Sequence, residues 1–364
     1  MPHRNVRIGE NVPCAKHILG FAQTLQGGGV ERALLRLARG WVAAGRRVTL
    51  AIGSTEGPLA RELPEGVTIL HLHKSDYGAL VRAVPDLVRR SDPDLIFCPG
   101  NHYTSVAGYC RLRLGRDCPP IVGKISNALV RPDHGAAVAW GYRRWLGAHR
   151  WFLDHVVAMT PAMAAEAVRE MGFAADRVSV IANPPALPMP DAAPVAIPPG
   201  RFILGVGRLE PQKRWDRLIA ALPQLSDDIP LVILGDGSER EALAAQVAAL
   251  GLEARVHLPG HVADPMPAMA GAAVLALTSD FEGVPGVLRE ALSVGTPVVA
   301  TMSSRAVAEI VGDPTLGTIV PLDDSVALVA ALDHWLVAER PAPVPQPGAD
   351  SALRYLALFD RLVR

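Results

Sequence analysis

Two glutamates eight residues apart, Glu282 and Glu290, stand in the stretch TSDFEGVPGVLREALSVGTPVVAT at 278–301. It reads as the end of a strand, a loop DFEGVPG at 280–286, a helix, then Gly295, Thr296 and Pro297 before another strand. Glu282 falls in the loop. Glu290 falls about one turn inside the helix, close to the apolar face of Val287, Leu288 and Ala291. A carboxylate near a buried face needs a partner. Sugar hydroxyls suit, because each donates a hydrogen bond to a carboxylate. Pro285 fits the first helical turn, which leaves the next N–H groups free for a phosphate. Two glutamates at this spacing also arise by chance; the glycines and the strand–helix–strand setting point to a site.

Cations and glycines precede this stretch. In FILGVGRLEPQKRWDRLIAAL, 202–222, a strand ends at Gly205–Gly207, and Arg208 and Lys213 follow at its carboxyl end. Ligands of open α/β sheets bind at that edge. An Arg fork and a Lys point charge there would neutralise a diphosphate, although two solvated loop cations fit the pattern as well. LVILGDGSEREAL, 231–243, is a strand, a tight turn and a helix, with Asp236 a turn residue or cap. Near the start, Gly27, Gly28 and Gly29 precede a helix whose apolar face is Val30, Ala33, Leu34, Leu37, Ala38 and Trp41. Glycines at a helix N-terminus let an anion approach the N–H groups, or simply make a tight turn. The motif is not G-x-G-x-x-G, and no acidic residue stands at a ribose position after the second strand, so a dinucleotide site is disfavoured.

The elements that must position these residues alternate from end to end. Strand-like runs fall at 17–22, 48–52, 67–72, 95–98, 121–125, 156–159 and 178–182, and again at 202–206, 231–234, 256–258, 274–277, 297–300 and 318–320. Short apolar runs between helix-length segments predict βαβ units and parallel sheets covered on both faces. Seven prolines in 184–199 predict a stiff linker, and four in 341–347 a second bridge before an amphipathic helix at 351–364. The expected organisation is a domain at 1–183, the linker 184–199, a domain at 200–340, and the bridge and helix at 341–364. That helix must dock, and the first domain is its expected platform.

Charge divides in the same place. The 364-residue chain balances 36 Lys+Arg against 36 Asp+Glu, but 1–180 holds 23 basic and 15 acidic residues. A neutral total argues against a nucleic-acid binder; the basic half is expected to face an anionic partner. Four cysteines, Cys14, Cys98, Cys110 and Cys118, have no C-x-x-C spacing and fit a reducing cytosol. The N-terminus lacks the apolar core of a signal peptide. The longest uncharged stretch, 265–279, is too short to span a bilayer. A cytoplasmic protein is expected.

The sequence resembles the retaining nucleotide-sugar glycosyltransferases of the group 1 type. The likeness rests on V-G-R-L-x-x-x-K at 206–213, L-x-x-L-G-x-G at 231–237, E-x₇-E at 282–290 and GTPVVAT at 295–301, and more loosely on GGGVER at 27–32 and VSVIANP at 178–184. It implies the GT-B fold: two Rossmann-like α/β domains whose parallel sheets face across a cleft. It also implies transfer of a sugar from a nucleotide-sugar donor to an acceptor, read as a cell-envelope or lipid-linked glycan. A nucleotide-sugar epimerase of the same fold, and a non-catalytic binding subunit, are the alternatives.

Carried over by position, the resemblance assigns Arg208 and Lys213 to the donor diphosphate and Glu290 to the ribose hydroxyls. It assigns Glu282 to the donor sugar. The backbone of Gly283, Val284, Pro285, Gly286 and Val287 lies along sugar and phosphate, the stretch ending at Val262 holds the base, and Gly28 and Gly29 approach the donor. The family needs no metal, and Asp92-Pro93-Asp94 is read as a strand entry rather than a metal-binding D-x-D. Many members carry a histidine after the fourth strand and another after the fifth. Here those regions read CPGNHYTS and KISN. Asn101 or His102 then fills the first place, and Ser126 and Asn127 stand on the acceptor side in the second.

One further segment, WGYRRWLGAHRWF at 140–152, packs three Trp, one Tyr, one Phe and three Arg into thirteen residues. It reads either as a helix at an anionic membrane surface or as a core helix with snorkelling arginines. The first reading gives a peripheral location on the inner face of the membrane.

Overall fold

The computed structural model describes residues 14–74, 76–129, 135–186, 195, 197–226 and 228–363. Residues 187–194 and 196 of the expected linker lie outside these, as does the N-terminus to residue 13. By contacts the chain forms two units, Met1–Lys124 with Ala148–Val156 and Asp350–Arg364, and Ile125–Gly147 with Val157–Ala349.

The first sheet is built from β1 (His17–Thr24), β2 (Arg47–Ser54), β3 (Thr68–His71), β4 (Leu95–Cys98), β5 (Ile121–Lys124), β6 (His155–Ala158) and β7 (Val178–Val180). Between them run α1 (Gly29–Ala43), α2 (Tyr77–Ser91), α3 (Thr104–Leu114), α4 (Ala136–Ala148) and α5 (Pro161–Glu166). The order is β3-β2-β1-β4-β5-β6-β7. Ile18 pairs with both Val48 and Leu95, in parallel on each side.

The second sheet holds β8 (Ile203–Val206), β9 (Leu231–Leu234), β10 (Val256–Gly260), β11 (Val274–Leu277), β12 (Val298–Thr301) and β13 (Gly317–Val320). Its helices are α6 (Trp215–Ala221), α7 (Arg240–Ala249), α8 (Met266–Gly271), α9 (Gly286–Ser293), α10 (Arg305–Ile310) and α11 (Ser325–Val337). The order β10-β9-β8-β11-β12-β13 again reverses beside the first strand. Successive strand residues point to opposite faces. Ile203, Leu231, Ile233, Val274 and Val299 join Trp215, Leu243 and Leu332 on one side. Leu204, Val232, Leu234, Leu275 and Val298 join Met269, Leu288 and Val307 on the other. Both faces are covered, which is why these strands read as unbroken apolar runs.

In an open parallel sheet the crevice lies where the order reverses, outside the carboxyl ends of the flanking strands. Those strands are β1 and β4 in the first sheet and β8 and β11 in the second. The loops that follow them carry the glycines at 27–29, the turn at 101–103, the cations Arg208 and Lys213, and Glu282.

The last helix, α12 (Ser351–Leu362), belongs to the first unit, as expected. Trp41 of α1 meets Tyr355 and Phe359 edge-on at 6.0 and 5.4 Å. The Asp360 carboxylate accepts from the Ala15 N–H at 2.9 Å and pairs with Arg46 at 2.8 Å. The proline bridge before it is seated on α9: the Val344 N–H donates to the Leu292 carbonyl, and the Gln346 amide to Ser293 Oγ.

Two expectations are corrected in detail. Pro285 stands just before α9 rather than in its first turn; its carbonyl accepts from the Leu288 N–H and so starts the helix. The segment at 140–152 is not a core helix, because Trp140 and Trp151 are 67% and 73% exposed, and only Leu146, His149 and Phe152 are buried.

Candidate active site

The second sheet assembles its site from four loops. The loop after β9 is zipped to the loop after β8 by backbone bonds: Gly207 N–H to Leu234 O, Leu209 N–H to Asp236 O, and Glu239 N–H to Leu209 O, each 2.9 Å. A side chain on Gly235 or Gly237 would run into the Gly207 or Leu209 carbonyl. The glycines of L-x-x-L-G-x-G are therefore what let the V-G-R-L loop lie so close. The loop after β11 is tied to the same place. Asp280 N–H donates to Gln212 O at 2.9 Å, the Gln212 amide to Phe281 O at 2.6 Å, and Thr278 Oγ1 to Arg214 O at 3.0 Å. From the loop after β12, Ser303 O accepts the Glu282 N–H at 3.0 Å and Ser304 Oγ donates to Gly283 O at 2.8 Å.

These ties bring Lys213 to Glu282, with Nζ 2.5 Å from Oε1. Ser279 Oγ donates to the same oxygen at 2.6 Å. Glu282 is 8% exposed, so its charge is held by these two partners rather than by water. Arg208 is exposed, and its guanidinium has no hydrogen bond or ion pair among the described residues. Glu290 lies half-buried in α9. Gly283 and Pro285 are buried, Val284 and Val287 half-buried, and Gly286 exposed at the helix start; Val262 is half-buried just after β10. Sequence reasoning missed the brace behind this loop. Asp280 accepts from Arg217 at 2.5 Å and from Arg214 at 3.3 Å. The run K-R-W-D-R beside T-S-D was the available signal.

The strand ends of the first sheet carry the remaining expected residues. Gly28 caps α1 with φ 153°, and Gly29 opens the helix into free space. Asn101 begins the turn after β4, half-buried. His102 is exposed there, with Nε2 3.3 Å from the Gln23 side-chain oxygen and its ring against Tyr77. Ser126 and Asn127 follow β5, both half-buried, and the Asn127 side chain accepts the Ala128 N–H. The first unit also holds groups that the motifs did not single out. Tyr103 donates to Glu31 Oε1 at 2.7 Å and accepts the Gln23 N–H at 3.0 Å. Lys124 is buried at the end of β5. Burial pulls its pKa down to about 8 against the opposing pull of Glu31. Burial, with Glu31 adding to it, raises the Tyr103 hydroxyl. A single lysine inside the apolar run IVGKI was the signal in the sequence. The triplet Asp92-Pro93-Asp94 has a local role: Asp92 ends α2 with φ 45°, and the Asp94 carboxylate accepts the His17 N–H at 2.8 Å.

Residues 193–343 match the family model described as glycosyl transferases group 1, and 27–184 that of glycosyltransferase family 4. Over 140 residues the chain is 37% identical to the Campylobacter jejuni N-acetylgalactosamine-N,N'-diacetylbacillosaminyl-diphospho-undecaprenol 4-alpha-N-acetylgalactosaminyltransferase, which is 38% of each chain. Over 156 residues it is 32% identical to the Salmonella typhimurium lipopolysaccharide 1,6-galactosyltransferase, 41% of this chain and 43% of that one. The match thus spans about two fifths of these relatives. The solved structure of Anabaena HepE in complex with UDP and glucose superposes with a TM-score of 0.69 at 22% identity, covering 96% of this chain and 95% of the other. That likeness is one of fold.

Proposed function

The chain belongs to the glycosyl transferases group 1 family, and on that premise we propose that it moves a sugar from a nucleotide-sugar donor to a lipid-linked glycan of the cell envelope, with retention at the anomeric carbon. The observation that carries this reading is the meeting of Lys213 with Glu282 beside Arg208, at the carboxyl ends of β8 and β11. The relatives support it by name: one acts on a diphospho-undecaprenol-linked sugar, another on lipopolysaccharide.

The chemistry is charge stabilisation. As the bond to the anomeric carbon breaks, negative charge grows on the leaving diphosphate. Arg208, Lys213 and the N–H groups at the start of α9 receive it. Lys213 then divides its ammonium between Glu282 and the phosphate, while Glu282 accepts from sugar hydroxyls and Glu290 from the ribose. The leaving phosphate takes the acceptor proton. Both glutamates stay on the donor side, so the two-carboxylate scheme of glycosidases does not apply. With two cations at the diphosphate, the reaction is proposed to run without a metal. His102 or Asn101, and Ser126 with Asn127, are proposed to meet the acceptor.

The test is release of nucleoside diphosphate from UDP-, GDP- and ADP-sugars, with and without an undecaprenyl-diphosphate-linked saccharide. Release that depends on the acceptor, and a product whose anomeric configuration by NMR equals the donor's, are expected. Inversion would overturn the retaining reading. An epimerised donor formed without acceptor would overturn transfer itself.

A lipid-linked acceptor calls for a membrane-facing surface, and we propose that α4 and the turn after it supply one, with anionic lipid as the partner. Among the described residues no helix is long and apolar enough to cross a membrane. Residues 136–151 contain no acidic side chain, and Arg143, Arg144 and Arg150 are exposed among the tryptophans. Tryptophan at headgroup depth and arginine against anionic lipid are the usual means of such attachment.

A further inference from the structure

β11 ends at Leu277, and the two residues after it, Thr278 and Ser279, are both 0% exposed. A hydroxyl taken out of water must find partners. Thr278 Oγ1 donates between the carbonyls of Lys213 and Arg214, at 3.1 and 3.0 Å. Ser279 Oγ donates instead to Glu282 Oε1 at 2.6 Å. Two neighbouring hydroxyls thus grip the two members of one ion pair, Lys213 by its backbone and Glu282 by its carboxylate.

Each grip fixes something that would otherwise move. Arg214, next to Lys213, is left-handed with φ 50°, a costly conformation for an arginine. That turn brings two successive carbonyls to the Thr278 hydroxyl, and the Arg214 guanidinium is tied to Asp216 by two bonds of 3.0 Å. The backbone of Lys213 cannot shift without breaking these contacts. At the other end, Glu282 Oε1 accepts from Lys213 at 2.5 Å and from Ser279 at 2.6 Å, and among the described residues nothing donates to Oε2. Ser279 is itself held, since its carbonyl accepts from Thr301 Oγ1 at 2.6 Å. A carboxylate with one oxygen doubly held has a set orientation and a second oxygen left to accept from a ligand.

We propose that Thr278 and Ser279 are positioning residues for the donor. Thr278 acts through Lys213 on the diphosphate. Ser279 acts through Glu282 on the sugar, by fixing Oε1 so that Oε2 meets a sugar hydroxyl. The proposal rests on the reading of Lys213 and Glu282 as donor contacts.

The experiment is calorimetric titration of UDP, GDP and ADP, then of the hexose and N-acetylhexosamine derivatives of the one that binds. The proteins are wild type, Ser279→Ala, Thr278→Val, Thr278→Ser, Lys213→Ala, Glu282→Gln and the double variant Ser279→Ala/Glu282→Gln, each also melted thermally. The donor is the nucleotide sugar that loses affinity in Glu282→Gln. Ser279→Ala should bind that donor about tenfold more weakly, within the worth of a hydrogen bond to a charged group, and bind the nucleoside diphosphate as wild type does. In the Glu282→Gln background the same change should cost nothing further. Thr278→Val should weaken the nucleoside diphosphate itself about tenfold, and Thr278→Ser, which keeps the hydroxyl, should bind it as wild type does. A merely structural role would lower melting without this division. Should Thr278→Val not fold, Ser279→Ala decides. Wild-type donor affinity in Ser279→Ala, equal loss of nucleotide and donor there, or an additive loss in the double variant would each overturn the proposal. So would wild-type nucleotide affinity in a folded Thr278→Val. No nucleotide binding by wild type, wild-type binding by Lys213→Ala, or no nucleotide sugar weakened by Glu282→Gln would overturn the donor reading instead.

Discussion

Lys213 and Glu282 hold each other at 2.5 Å, and on the proposed reading the two glutamates have separate tasks. Removing the charge of Glu282 releases Lys213 to the phosphates, so Glu282→Gln should keep nucleoside-diphosphate affinity and lose turnover. Glu290 sits in α9, half-buried, and Glu290→Gln should weaken nucleotide binding by about 1.5–3 kcal/mol, the worth of a hydrogen bond to a charged group. Calorimetry with UDP, GDP or ADP beside a turnover assay checks both; equal loss of affinity in the two variants would refute the division. Glu282 and Glu290 were legible in sequence because glycine, proline and an apolar helix face frame them. The contacts from Lys213 and Gln212 to the loop after β11 were not, since they join residues 69 apart in the chain. Lys124 escaped because a lone charge in a strand does not say what balances it.

The strands were the most legible elements, because each is covered on both faces and reads as a short apolar run. Their ends were less so: β1 and β2 run on to Thr24 and Ser54, past the apolar stretch, since backbone pairing continues between Thr24 and Ser54. α4 could not be placed from sequence at all. Arginine and tryptophan serve a buried face and a wet one equally well, and only the exposure of Trp140 and Trp151 decides between them. α12 was expected to dock on the first domain, but its polar anchor was not foreseen. Asp360 is tied to Arg46 and to the Ala15 N–H, all partly buried. Asp360→Ala leaves a guanidinium and an N–H without that carboxylate and should destabilise the first unit by about 1–3 kcal/mol. A lower first melting transition with unchanged nucleotide affinity is the expected result; an unchanged melting curve would show that the anchor contributes nothing.

Across the whole molecule, charge is unevenly shared, with the basic excess in 1–180 and the acidic excess beyond it. On the membrane proposal, the protein should co-sediment with vesicles containing anionic phosphatidylglycerol and not with phosphatidylcholine alone. Binding should fall as salt is raised. It should weaken when Arg143, Arg144 and Arg150 become Gln while the fold is kept, each cation contributing about 1 kcal/mol. Equal partitioning onto both vesicles, or onto neither, would contradict it. Everything proposed for catalysis depends on one prior proposal, that the second sheet binds the diphosphate of a nucleotide through Arg208 and Lys213. The most direct measurement is titration of UDP, GDP and ADP into wild type, Arg208→Ala and Lys213→Ala, each with and without EDTA. One nucleotide should bind wild type, and each substitution should cost about 1.5–3 kcal/mol of that affinity, with little change in melting temperature for Arg208→Ala and a lower one for Lys213→Ala, which leaves the buried Glu282 without its ion pair. Binding that vanishes with EDTA, or that is untouched in both variants, would contradict the account.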